Sequence, residues 1–153
     1  MTKEQYELIV TEKPKVSKRV AEALADGEVE TTKHGTISYY IFTRAGKKII
    51  VAPAVGHIFT LKQKKGQSGY PIFDIDWIPS SEANKSSAFT KAYAETLEFL
   101  GKNASSVTCA CDYDIEGELI GYNAIKYLIG DEALKNAERM KFSALTKDQL
   151  EKA

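Results

Sequence analysis

The segment Asp112-Tyr113-Asp114-Ile115-Glu116-Gly117-Glu118 sets four carboxylates within seven residues, directly after a β-rich run at 106–111. In an extended chain Asp112 and Asp114 project the same way, because side-chain direction repeats every two residues. Cys109 and Cys111 have the opposite parity and are expected to face the core. Glu116 then falls in the first turn of a helix, where the helix dipole favours negative charge. Such a cluster repels itself. A hard divalent cation with oxygen ligands neutralises it most simply, and Mg²⁺ suits a site that keeps waters and meets a phosphate. Zinc is not expected, because the two histidines and the Cys-x-Cys pair lack a four-ligand spacing.

Glu12-Lys13-Pro14 is the second candidate. It also follows a short apolar run, at 6–11, and precedes a helical pattern. If the two strands are neighbours, Glu12 faces Asp112, Asp114 and Glu116. A carboxylate so placed suits general acid or base work, and Lys13 suits a phosphate. Each piece alone has a bland reading, as a solvated helix cap or a turn. Together, each behind a buried strand about a hundred residues apart, they favour a metal site.

The elements that must position these residues follow from periodicity. Residues 6–11 read as a buried strand. Pro14 suits a first helical turn, Val16, Val20 and Leu24 recur every four residues, and Gly27 follows as a stop. Segments 29–33, 38–43 and 48–52 are β-rich and separated by His34-Gly35 and Ala45-Gly46, with a further extended piece at 55–61. Residues 62–87 read as loop. A helix is expected from about Ser86, with Phe89, Ala92, Tyr93, Leu97 and Leu100 on one face and Gly101 at its end. After the strand at 106–111 come a helix from Glu116 to about Leu128, closed by Gly130, and a last strand at 141–143. A helix then opens at Thr146, a plausible N-cap. Alternating strands and helices predict an α/β fold with a mainly parallel sheet flanked by helices, made mixed by a β-rich insertion at 28–61.

Composition bounds the rest. The chain has 153 residues, one domain in length, with 43% hydrophobic and 27% charged residues, a globular profile. Lys plus Arg and Asp plus Glu are 21 each, so the overall field does not draw in a polyanion, and any such contact must be local. No apolar run reaches the ~20 residues of a membrane span, and the opening residues lack a leader-like apolar core. The two cysteines read as a reduced pair in a cytoplasmic protein.

At this point the residues resemble the Toprim domain, whose signature is a Glu after the first strand and a D-x-D motif after a later one. Here these are Glu12 and Asp112/Asp114, with Glu116 completing D-x-D-x-E. The closer resemblance is to the N-terminal Toprim domain of type IA DNA topoisomerases, in the archaeal topoisomerase I and topoisomerase III-like group. It is carried by Leu8-Ile9-Val10-Thr11-Glu12-Lys13-Pro14, Gly56-His57-Ile58-Phe59-Thr60-Leu61, Tyr70-Pro71-Ile72-Phe73-Asp74-Ile75-Asp76-Trp77, the acidic motif, and Arg139-Met140-Lys141-Phe142-Ser143-Ala144-Leu145-Thr146. D-x-D-x-E alone is weakly specific; five motifs in this order cover nearly the whole chain.

The resemblance implies a Rossmann-like Toprim fold over 1–153, with the following segment starting at about 144. It implies an Mg²⁺ site of Asp112, Asp114 and Glu116 with Glu12. Glu12 would sit at the scissile phosphate and donate a proton to the leaving 3′-oxygen, while Lys13 would stabilise the phosphate charge. His57 and Arg139 would contact DNA. The partners implied are a single-stranded DNA segment and the remaining domains of a parent enzyme, with no membrane. The family cleaves one strand through a tyrosine carried in a later domain. Tyr70-Pro71 lacks the context of that nucleophile, so the chain is expected to be a truncated piece that does not relax DNA by itself. The alternatives are a stand-alone Toprim nuclease using water and, more distantly, a receiver-like phosphoacceptor domain. The lysines at 62–65, Trp77 and Tyr113 read as solvated loop, core or interdomain contact, and packing.

Overall fold

A computed structural model of the chain describes residues 5–66 and 68–153. Residues 1–4, part of the opening read above for the absence of a leader, lie outside the described residues. Strand β1 (Tyr6–Thr11) is buried on both faces from Leu8 onward, as a central parallel strand must be. Helix α1 (Pro14–Leu24) follows at once with Pro14 at its start. Strands β2 (Glu30–His34), β3 (Ile37–Arg44) and β4 (Lys47–Pro53) come next. Strand β7 (Ala104–Ala110) and a two-residue strand β8 (Glu138–Arg139) complete a six-stranded sheet of order β2-β3-β4-β1-β7-β8. The pairs β4·β1, β1·β7 and β7·β8 are parallel, and β2·β3 and β3·β4 antiparallel. The sheet is thus mostly parallel where the site lies. Of the β-rich stretch expected as an insertion at 28–61, strands β2 to β4 are part of this sheet. Its hairpins end in β4, which pairs directly with β1.

Alternation along β1 and β7 builds two cores. Leu8, Val10, Val107, Cys109 and Cys111 pack against Leu97 and Leu100 of helix α3 (Thr90–Gly101) and Ile120 and Ala124 of helix α4 (Ile115–Ala124). Ile9, Val51 and Ala110 on the other face pack against Val16, Val20 and Leu24 of α1. Met140 and Phe142, and Leu150 from helix α6 (Lys147–Lys152), join them. Both thiols are free and buried, as their parity requires.

Four expectations are corrected. The stretch 62–87 is not all loop. Strand β5 (Phe59–Gln63) pairs antiparallel with β6 (Ile75–Pro79) in a separate two-stranded sheet, and helix α2 (Ser80–Ala83) and a 3₁₀ turn (Lys85–Ser87) follow. The pairing spans a long connection, so local propensity did not reveal it. Phe89 precedes α3 and is exposed. The last strand pairs at Glu138 and Arg139, not at 141–143, because the Met140 amide donates to the Cys109 carbonyl and the chain then turns away. Phe142 still enters the core, but from irregular backbone. The helix after the acidic turn is α from Ile115 to Ala124 and continues as a π turn (Ile125–Ile129), closed by Gly130 at φ 128° and followed by the short helix α5 (Asp131–Lys135). Thr146 is the N-cap of α6, though its side chain makes no capping bond.

Candidate active site

The carboxyl ends of parallel strands are where open α/β sheets bind ligands, and here three adjacent strands, β4, β1 and β7, end together. The Ala54 amide donates to the Thr11 carbonyl (2.7 Å) and the Gly56 amide to the Glu12 carbonyl (3.0 Å), tying the β4 exit to the β1 exit. Val55 and Gly56 both sit in the left-handed region, at φ 62° and 76°. For a β-branched residue that conformation is strained. It turns the chain so that His57 approaches the acidic segment from the β4 side.

Lys13 joins the other two strand ends. Its Nζ lies 2.9 Å from Glu12 Oε1 and 2.8 Å from Asp112 Oδ2. The neighbour relation expected between Glu12 and the acidic segment is therefore present, through an ammonium. Hydrogen bonds to Asp112 and then Glu12 hold the Lys13 pKa above the ordinary lysine range. Glu12 is nine-tenths buried, so its charge needs such a partner.

The other acids have separate partners. Asp114 is the N-cap of α4, and its Oδ1 accepts from the Gly117 amide at 2.7 Å. Glu116 Oε2 lies 2.6 Å from His57 Nε2. Glu118 Oε1 accepts from Arg139 Nε at 2.7 Å. Among the described residues, no three His, Cys, Asp or Glu side chains stand together in a metal-holding arrangement. The cause is visible in this pairing: an ammonium, an imidazole and a helix amide each draw one part of the cluster aside.

Arg139 does more than its sequence context announced. Nη1 donates to the carbonyls of Cys111 (2.9 Å), Met140 (2.5 Å) and Cys109 (3.3 Å), and Nη2 donates to that of Asp112 (2.9 Å). One guanidinium thus ties the last turn of β7 to the segment behind β8. The sequence reading also passed over Gly117 and Gly121. A Cβ at Gly117 would stand 2.0 Å from the Asp112 carbonyl oxygen, and one at Gly121 would stand 2.2 Å from Cys109 Sγ. The Gly-x-x-x-Gly spacing on one helix face was the available signal for this close approach.

Beside His57 an open groove of about 700 Å³ runs between α4 and the β5–β6 hairpin. Trp77, Leu61, Lys62 and Leu119 are among its lining residues. Tyr113 lies beneath the cations of Arg139 and Lys141, at 5.8 and 5.7 Å from its ring centre.

Comparison with known proteins shows the family. The Toprim domain model matches residues 7–145. DNA topoisomerase 1 of Pyrococcus horikoshii is 46% identical over 143 residues, 94% of this chain and 21% of that protein. DNA topoisomerase 1 of Pyrococcus furiosus is 47% identical over 148 residues, 95% of this chain and 14% of that protein. The protein of the same name from Methanocaldococcus jannaschii is 46% identical, with 95% and 19% covered. The chain thus spans about a fifth or less of the length of these relatives. Among solved structures, the G domain of the T. maritima FeoB iron transporter aligns over 97% of this chain and 93% of that one. Its TM-score is 0.51 at 15% identity, a likeness of fold alone. With a glutamate directly after β1, an acidic motif after β7 and a family match over most of its length, this chain belongs to the Toprim domain family.

Proposed function

We propose that residues 1–153 form the Toprim domain of a type IA DNA topoisomerase of the archaeal topoisomerase I kind. In this reading the domain takes part in transient cleavage and religation of one DNA strand. The observation that carries it is the joining of Glu12 and Asp112 by Lys13 at the ends of β1 and β7. The names of the relatives support the same reading.

In chemistry, though with side chains now turned to other partners, the donor set suits a hard divalent cation. Four carboxylates border the strand ends, and two of them already share one positive centre within 3 Å. Glu12, Asp112, Asp114 and Glu116 would hold the ion, and Mg²⁺ is the choice that suits oxygen donors and a phosphate. When bound, it would supply positive charge to a phosphate oxygen. In this reading Glu12 delivers a proton to the leaving 3′-oxygen, and Lys13 steadies the phosphate by charge. His57 borders both Glu116 and the groove, and we assign it a DNA contact there. Arg139 is committed to five hydrogen bonds within the chain, and we assign it to holding the Asp112 turn in place. The tyrosine that takes up the broken strand comes from the remaining domains of the parent protein, and the substrate is a single-stranded segment of DNA in the cytoplasm.

Calorimetric titration of the purified chain with Mg²⁺ tests this. Binding that weakens at least tenfold in Asp112→Asn and Asp114→Asn, with no nicking or relaxation of supercoiled plasmid, is expected. Absence of Mg²⁺ binding overturns the site assignment. Metal-dependent nicking abolished by Asp112→Asn would identify a nuclease instead.

A further inference from the structure

We propose that Lys13 is a built-in counter-ion of the carboxylate site, released when a divalent cation binds, so that cation binding makes Lys13 available to phosphate. The proposal rests on the metal-site reading above and adds an order to it. Lys13 joins carboxylates that follow two different strands, its own neighbour Glu12 and Asp112, 99 residues further along the chain. Glu116, Asp114 and Glu118 each have their own partner elsewhere. An ammonium has three N–H donors, and two directions are already taken by Glu12 and Asp112. A phosphate that captured Lys13 in this state would strip the partner from buried Glu12. A cation held by the same carboxylates removes that cost and repels the ammonium outward.

The local structure permits the exchange without a change of backbone. The Lys13 carbonyl accepts from the amides of Val16 (3.0 Å) and Ser17 (3.1 Å), which pins the main chain at the start of α1. The side chain is 55% exposed, so it can leave by rotamer change alone. Lys15, two residues on, is exposed and has the same charge, which makes it the control for general electrostatics. Because binding couplings are reciprocal, Mg²⁺ and phosphate ligands should each strengthen the other's binding through Lys13.

The experiment titrates the 153-residue chain with Mg²⁺ by calorimetry, as wild type, Lys13→Met and Lys15→Met. A fluorescent (dT)₈ oligonucleotide is then titrated with and without Mg²⁺. Lys13→Met is expected to bind Mg²⁺ about fivefold tighter or more, and Lys15→Met less than twofold tighter. The oligonucleotide should bind the wild type more tightly with Mg²⁺, and this gain should fall about fivefold or more in Lys13→Met but less than twofold in Lys15→Met. Where Lys13→Met lacks a cooperative thermal melt, Lys13→Gln replaces it with the same expectations. Equal or weaker Mg²⁺ binding in the Lys13 variant, or a gain undiminished without Lys13, overturns the proposal and leaves the metal site standing. No Mg²⁺ binding by any of the proteins overturns both.

Discussion

Arg139 shows how one side chain can set the position of several others. Its donors reach the carbonyls of Cys109, Cys111, Asp112 and Met140 and the Glu118 carboxylate. Arg139→Ala leaves these acceptors without their shared partner, several of them out of reach of bulk water. A loss of about 2–4 kcal/mol in unfolding free energy is expected, measured by urea denaturation. Arg139→Lys should recover only a minor part, because a single ammonium cannot reproduce the planar fork. His57 differs in kind. It and Glu116 are both substantially exposed, and an exposed pair contributes little to stability. His57→Ala should therefore melt within about 0.5 kcal/mol of wild type, so that any loss of oligonucleotide binding reports a role in the site.

At the scale of elements, α4 meets the end of β7 across two glycines. Gly117→Ala drives a methyl group into backbone, the Asp112 carbonyl, which cannot rotate away. Overpacking of this kind costs about 1–3 kcal/mol, and the turn bearing Asp112 must move. Thermal melting should fall, and Mg²⁺ binding should fall further than a surface variant of equal stability, such as one in α5, would show. Gly121→Ala presses on Cys109 Sγ, so its cost depends on how far the buried thiol can turn. The same packing closes off both cysteines. Hydrogen bonding with Cys109 and burial push the Cys111 thiol pKa up. In the native chain both thiols should resist a thiol-reactive dye, and both should react once the chain is unfolded in denaturant. Rapid native labelling would show that α4 opens locally.

For the molecule as a whole, equal numbers of acidic and basic residues mean that any affinity for DNA must come from a few local contacts. Oligonucleotide binding by this chain should be weak and only mildly salt-sensitive. About two phosphate contacts on a single strand give a slope of about −1.4 in log K against log salt. A markedly steeper slope would reveal a wider basic surface than Lys13 and its surroundings provide. No helix among the described residues is long and apolar enough to cross a membrane.

Much of the site was legible in the sequence because the signals are local. Apolar runs before Glu12 and Asp112 announce buried strands. Pro14 marks the start of α1, and the acids after β7 stand where a helix begins. Side-chain parity alone put the cysteines inside, and five ordered motifs indicated the family. What the sequence left open depends on contacts between distant segments. The β5–β6 pairing crosses a long connection, and β8 sits where hydrogen bonds to Cys109 put it. Only in three dimensions do β4, β1 and β7 end side by side, so that Lys13 falls between Glu12 and Asp112 while His57 and Arg139 take up other parts of the acidic turn. Residue type and spacing set which charges are present and on which elements they ride. Which charge meets which depends on long-range strand pairing, and periodicity along one chain does not encode that directly.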